Sequence, residues 1–243
     1  MSKPAFKRVL LKLSGEALAS PVADRSANFG ISQEMLERIA RDIKNVYDLG
    51  VQVCLVVGGG NIFRGVHGMA THDLNRTTSD HMGMLATIIN GLAMHNAIEA
   101  EGMPCRLMSA VPMETIAEFY VRLRAIRHME KGRVVIFSGG TGNPYFTTDT
   151  AATLRASEMA CDLMLKATKV DGVYTDDPVK NPNAEFIANL SYQDVLINKI
   201  GVMDATAIAL AQENHLPVRI FSIYKENGFA DAICNNGRFT KIS

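Results

Sequence analysis

The sequence predicts an α/β protein, a three-layer αβα sandwich in which helices cover both faces of a mostly parallel sheet. Short apolar or β-branched runs alternate along the chain with longer segments of helical period. Each apolar run ends in a polar or glycine-rich stretch, the pattern of buried strands that turn out toward a helix. A length of 243 residues is within the range that such folds organise around one core, so a single domain over 1–243 is expected.

Residues 9–13 form the first expected strand, apolar apart from Lys12. Lys3, Lys7 and Arg8 precede it as they would in a secretory signal, but Lys12 and Glu16 break the apolar run, so a basic edge leading into a buried strand is expected. A helix opens at Ser32, turns Leu36, Ile39, Ile43 and Val46 inward, and stops at Gly50, where a left-handed residue can close the last turn. Residues 51–57 form the second strand. The next helix runs from about Asp80 to Gly102, with Met82, Met84 and Met94 filling the core among Leu85, Ile88 and Leu92, and His81 packed or capping. Strand 105–109 leads to a helix over 114–129 that carries Arg122, Arg124 and Arg127 on a solvated face. Strand 134–137, helix 149–160, strand 163–167, helix 203–214 and strand 218–221 complete the series.

Hydrophobic residues make up 47% of the chain and charged residues 21%, ordinary values for a globular protein. No run approaches the ~18 consecutive apolar residues of a membrane span, so no span is expected, and the dispersed cysteines lead to the expectation of a cytoplasmic protein. Lys plus Arg equals Asp plus Glu at 25 each, and no bulk field recommends nucleic acid or an anionic membrane as a partner. Any bound anion must be held locally. Cys54, Cys105, Cys161 and Cys234 form no C-x-x-C pair, and no H-E-x-x-H is present, which points to reduced, buried thiols and to no protein-held metal.

In an open α/β sheet, ligands gather beyond the carboxyl ends of the strands. Lys12-Leu13-Ser14-Gly15, Gly58-Gly59-Gly60-Asn61 and Gly139-Gly140-Thr141-Gly142-Asn143-Pro144 end three of the expected strands and should share one rim. The glycine triplet fits a nest of backbone N–H groups around phosphate, with Arg64 supplying a fork of donors, or a tight strand-to-helix link without a ligand. Lys12 fits a phosphate partner, or an edge lysine reaching water. Asp149 fits either a helix N-cap or a catalytic carboxylate. Asp171-Gly172-Val173-Tyr174 and Asp176-Asp177-Pro178 form a polar loop of ordinary turn chemistry. Neither G-x-x-x-x-G-K-[ST] nor G-x-G-x-x-G occurs, which disfavours P-loop kinases and Rossmann dehydrogenases.

Taken together, KLSGEAL at 12–18, GGGNIFRG at 58–65, DHMGMLAT at 80–87, GTGNPYFTTD at 140–149 and KATKVDGVYTDDP at 166–178 resemble the bacterial uridylate kinase family of the amino-acid kinase superfamily, along nearly the whole chain. The resemblance implies the amino-acid kinase fold and ATP-dependent conversion of UMP to UDP with Mg²⁺ in pyrimidine nucleotide biosynthesis. It implies that Lys12, Leu13, Ser14, Gly15, Gly60, Arg64, Thr168, Tyr174 and Asp177 attend ATP. UMP would meet Gly59, Asp80, Thr141, Gly142, Asn143, Pro144, Tyr145, Phe146, Thr147 and Thr148. A homohexamer, inhibition by UTP and activation by GTP are further implications. One departure falls on the GTP response: residues 20–28 read SPVADRSAN where relatives carry a shorter, glycine-containing link.

Phosphoryl transfer relies on alignment and charge neutralisation, and the UMP phosphate is already an anionic nucleophile, so no general base is needed. Lys12 and Arg64 would offset charge between the nucleotides, while Asp149 and Asp204 orient lysine or hydrated Mg²⁺. A non-catalytic nucleotide sensor and an amino-acid-directed kinase are the rival readings.

Overall fold

The computed structural model of the protein describes residues 4–19, 30–63 and 74–243. The strands are β1 (Arg8–Leu13), β2 (Gln52–Val57), β3 (Cys105–Ser109), β4 (Glu118–Phe119), β5 (Val134–Ser138), β6 (Leu163–Thr168), β7 (Val173–Tyr174), β8 (Phe186–Ile187), β9 (Asn189–Leu190), β10 (Val218–Ser222) and β11 (Thr240–Ile242). Nine of them form one sheet in the order β4-β3-β5-β2-β1-β6-β10-β11-β9, while β7 and β8 form a separate antiparallel pair. Every pairing in the large sheet is parallel except β10 with β11.

The helices are α1 (Gln33–Tyr47), α2 (Arg76–Ala100), α3 (Arg122–Glu130), α4 (Thr148–Glu158), α5 (Tyr192–Ile197), α6 (Ala205–Glu213) and α7 (Gly228–Ile233). Alternation along β1 divides the molecule. Val9, Leu11 and Leu13 pack with α1, α2 and α7, whereas Leu10 faces the layer of α3 to α6. Lys12 shares the Leu10 side, which aims it at α4. The expected three layers are therefore present.

All six expected strands form, within one residue of their expected ends. In α1, Ser32 Oγ accepts from Met35 N, the four expected apolar residues are buried, and Gly50 lies past the end at φ +80. Other expectations need correction. Instead of one helix over 114–129, Glu118–Phe119 pairs with Met108 and Ser109 at the sheet edge and α3 starts at Arg122. The cause is aromatic packing: Tyr120 meets the Phe137 ring at 5.5 Å and lies under the Arg155 guanidinium at 3.7 Å. Met84, Ile88 and Met94 are core residues, but Met82, Leu85 and Leu92, with Ile89, form an exposed stripe along α2. His81 is exposed, and the cap of α2 is Asn75. Arg122, Arg124 and Arg127 are exposed as expected. Cys54, Cys105 and Cys234 are buried and Cys161 is partly so. Among the described residues, no helix is long and apolar enough to cross a membrane.

Candidate active site

The first and second strands end in one shared loop structure. Gly58 N donates to Leu13 O at 2.8 Å. A Cβ on Gly15 would sit 2.5 Å from Gly60 N, and one on Gly59 would sit 2.8 Å from the Ala86 Cβ, so both positions need glycine for close approach. Two buried asparagines hold the loop from below. Asn90 Nδ2 donates to Gly58 O and to Asn61 Oδ1, each at 2.7 Å, and Asn61 Nδ2 donates to Gly30 O at 2.7 Å. Sequence reasoning gave Asn90 no role; an amide in the middle of a buried helical face was the available signal.

A buried charge cluster lies beside this loop. Lys12 Nζ is 2.8 Å from Asp149 Oδ1, and Lys166 Nζ is 2.7 Å from Asp149 Oδ2. Lys166 Nζ also donates to Val202 O at 2.5 Å. Two cations share one carboxylate, and Asp204 adds a second negative charge that acts on Lys166. Burial opposes ionisation of Asp149, but Lys12 and Lys166 outweigh it and hold the carboxyl below the usual range. Burial, together with the like charge of Lys12, pulls Lys166 below the ordinary lysine value in spite of Asp149. An arriving anion would relieve that repulsion. Lys166 was not assigned a role from sequence, although it is placed near the end of an apolar strand just as Lys12 is.

Asp149 is not the cap of α4. Thr147 caps the helix, its Oγ1 accepting from Asp149 N at 3.1 Å and Thr150 N at 3.3 Å, which leaves the Asp149 carboxylate to the lysines. Asp204 caps α6 by accepting from Ala207 N, and it also accepts from Thr147 Oγ1 and, at 3.0 Å, from Thr150 Oγ1. It therefore ties α6 to the start of α4.

Gly59, Gly60, Asp80, Thr141, Phe146, Thr147 and Thr148 line a cleft of about 220 Å³ together with Phe63, Gly83 and Thr87. Asp80 departs from its expected place at the start of the helix. Asn75 caps α2, and Asp80 lies one turn in, where Oδ2 accepts from Arg76 Nε and from Tyr145 N, each at 2.8 Å. The carboxylate thus anchors the 140s loop. Gly142, Asn143, Pro144 and Tyr145 belong to that loop but are not among the residues lining the cleft. Tyr145 is held at φ +72 with the Arg76 guanidinium over its ring.

On the other side, Leu13 is fully buried, so only its backbone can face the rim. Thr168 ends β6 two residues beyond Lys166, with Oγ1 donating to Val170 O at 2.5 Å. Tyr174, on β7, donates to Asp171 Oδ1 at 2.6 Å and packs edge-on against Phe186. Asp177 spends its carboxylate on its own turn, accepting from Val179 N and pairing with Lys180. Arg64, and residues 20–28, lie outside the described residues.

Residues 7–222 match the profile of the amino acid kinase family. The chain is also 52% identical to a uridylate kinase of Roseobacter denitrificans, over 98% of this chain and 96% of the relative. The chain belongs to the uridylate kinase branch of the amino acid kinase family. A uridylate kinase of Rickettsia typhi is 53% identical over 98% of this chain and 95% of its own length. The crystal structure of UMP kinase from Bacillus anthracis superposes with a TM-score of 0.91 at 40% identity, covering 98% of this chain and 96% of that one. UMP kinase from Ureaplasma parvum gives 0.89 at 36% identity, each chain covered in full.

In this amino acid kinase, a cleft lined in part by the glycine loop carries a carboxylate on one wall, and a buried cluster of two lysines around Asp149 lies near the ends of β1 and β6. Such an arrangement can receive two anionic groups in succession and neutralise charge between them.

Proposed function

We propose that the chain transfers the γ-phosphoryl group of ATP to UMP, giving ADP and UDP. The observation that carries this reading is the buried Lys12–Asp149–Lys166 cluster, in which Asp149 follows directly on Thr148 of the cleft lined by Gly59, Gly60 and Asp80. UMP occupies the cleft, with Asp80 toward its ribose hydroxyls and the Thr141 to Thr148 loop around its phosphate. ATP lies along Ser14, Gly15, Gly60 and Arg64, with Thr168, Tyr174 and Asp177 on its nucleoside side.

A UMP phosphate oxygen attacks the γ-phosphorus in line. The new O–P bond forms as the bond to the bridging β,γ-oxygen breaks, and the electron pair leaves on ADP. The nucleophile is ionised at neutral pH, so the protein need not remove a proton. Lys12 offsets charge on the transferring group; Asp149 fixes Lys12, and Lys166 fixes Asp149. Mg²⁺ enters as part of the ATP substrate, held by phosphate oxygens and water.

The exposed α2 stripe of Met82, Leu85, Ile89 and Leu92 supports self-association, and a homohexamer is the proposed assembly. UTP, which shares the uridine of UMP, is the proposed feedback inhibitor. GTP is the proposed activator, and the segment expected to respond to it lies outside the described residues.

ADP release measured with UMP, CMP, glutamate and aspartate as acceptors tests the reading. Release with UMP alone, or with UMP far ahead of CMP, is expected. Binding of UMP without ADP release indicates a nucleotide sensor, and release with an amino acid indicates the other kinase class; either result overturns the proposal.

A further inference from the structure

Among the described residues, two thiols meet far from the cleft. Cys54 on β2 and Cys161 in the turn from α4 to β6 bring their Sγ atoms to 3.8 Å across 107 positions of sequence. Cys54 is buried within the sheet, its Sγ 3.6 Å from Val9 O, whereas Cys161 is partly exposed. An interior thiol is thus in contact with that of a partly exposed residue.

A disulfide needs an S–S distance of about 2.05 Å, so the sulfurs must close by about 1.8 Å. The backbone on both sides is held. Cys54 is in register with Leu10 on β1 and Val135 on β5. In the other segment, Cys161 N donates to Ala156 O at 2.9 Å, Asp162 Oδ2 accepts from Lys7 N and Arg8 N, and Arg8 Nη1 donates to Met159 O. Closure therefore falls to rotation about the two Cα–Cβ bonds.

We propose that Cys54 and Cys161 form a redox modification site, converted to a disulfide by a peroxide. In the first step the Cys161 sulfur attacks the O–O bond, an S–O bond forms, and water leaves. In the second, the Cys54 sulfur displaces hydroxide from that sulfenic acid; the S–S bond forms and the Cys54 proton departs with hydroxide as a second water. The two thiols lose two electrons and two protons, and the peroxide is reduced to two waters. Burial, reinforced by its contact with Cys161, pushes the Cys54 thiol well above its usual range, which disfavours it as the first attacker; the 3.8 Å contact is what brings it to the resolving step.

The bond would join the strand that leads into the glycine loop to the turn lying between Asp149 and Lys166. It would also close a loop of about 107 residues, which restricts the unfolded chain and raises Tm by several degrees. The proposal does not depend on which acceptor the enzyme uses.

Intact-mass and peptide analysis of the full chain after a few equivalents of hydrogen peroxide tests it. The expected product is lighter by about 2 Da, reverts with dithiothreitol, yields a linked peptide pair containing Cys54 and Cys161, and melts at higher temperature. In Cys54→Ala the same treatment should leave a Cys161 sulfenic acid that dimedone traps. Should that variant not fold, the wild-type masses decide alone. Oxygen added at Cys161 with no linked peptide, a link to any other cysteine or to a second chain, or no mass change overturns the proposal.

Discussion

Lys12 and Lys166 stand directly opposite each other on neighbouring strands β1 and β6, and both reach the same carboxylate. Two like charges on one rung of a parallel sheet repel. Asp149 offsets that repulsion, with Asp204 also acting on Lys166.

Lys12→Ala should lower kcat by roughly 10²-fold or more, the scale for losing one preorganised donor to a transition state. Asp149 keeps Lys166 as a partner, so the variant should fold. Steady-state kinetics beside a thermal melt provide the check. Near-normal kcat in the folded variant would make Lys12 a structural ion-pair partner only.

Lys166→Met should also lower kcat, by about 10-fold or more, because Lys166 positions the carboxylate that positions Lys12. KM for either nucleotide should change much less than kcat. A variant with normal kcat and a lower Tm would limit Lys166 to stability.

Asp80→Asn should raise KM for UMP more than KM for ATP and shrink the preference for UMP over its 2′-deoxy analogue. Helix capping does not complicate the test, since Asn75 holds that role. Asparagine can still accept from Tyr145 N, so the loop anchor survives. Equal changes in both KM values, with the deoxy preference intact, would restrict Asp80 to loop anchoring.

Asp42 is buried between α1 and the turn into α7, with Oδ1 accepting from Asn227 N at 3.3 Å. Burial pushes its carboxyl from 3.8 up to about 6, against the opposing pull of the Asn227 N–H and Arg38. A folded pKa above the unfolded one stabilises the fold below the unfolded value, and this contribution is lost as pH rises through about 6. Asp42→Asn should therefore raise Tm by roughly 2–4 °C at about pH 7.5, the shift from ~1 kcal/mol in a chain of this size, and by little at about pH 4. Equal shifts at both pH values would mean that Asp42 does not titrate in this range.

The six long strands were legible because buried parallel strands are mostly apolar runs bounded by polar or glycine-rich stretches, and α1 because Ser32 and Gly50 bracket a regular apolar period. The two-residue strands are too short to carry a period, and β4 exists because Tyr120 packs on Phe137, a contact no local pattern announces. Asn75 to Asp80, and Thr147 to Asp149, each offer several possible caps in a row; tertiary contacts select Asn75 and Thr147 and free the two carboxylates. The glycine rim and Lys12 could be read from sequence. Lys166 carries the same local signal as Lys12, but its pairing with Lys12 around Asp149 lies in the register of β1 with β6, which only the assembled sheet reveals.

Phosphorus-31 NMR of the full chain mixed with equimolar Mg·ATP and UMP tests the central claim most directly. The signals of UMP and of the ATP γ-phosphate should decline together while UDP and ADP grow in equal amounts, and Lys12→Ala should slow both changes alike. Loss of the γ-phosphate signal to inorganic phosphate with UMP unchanged, or a persistent mixture of ATP and UMP in the presence of folded protein, would contradict the account.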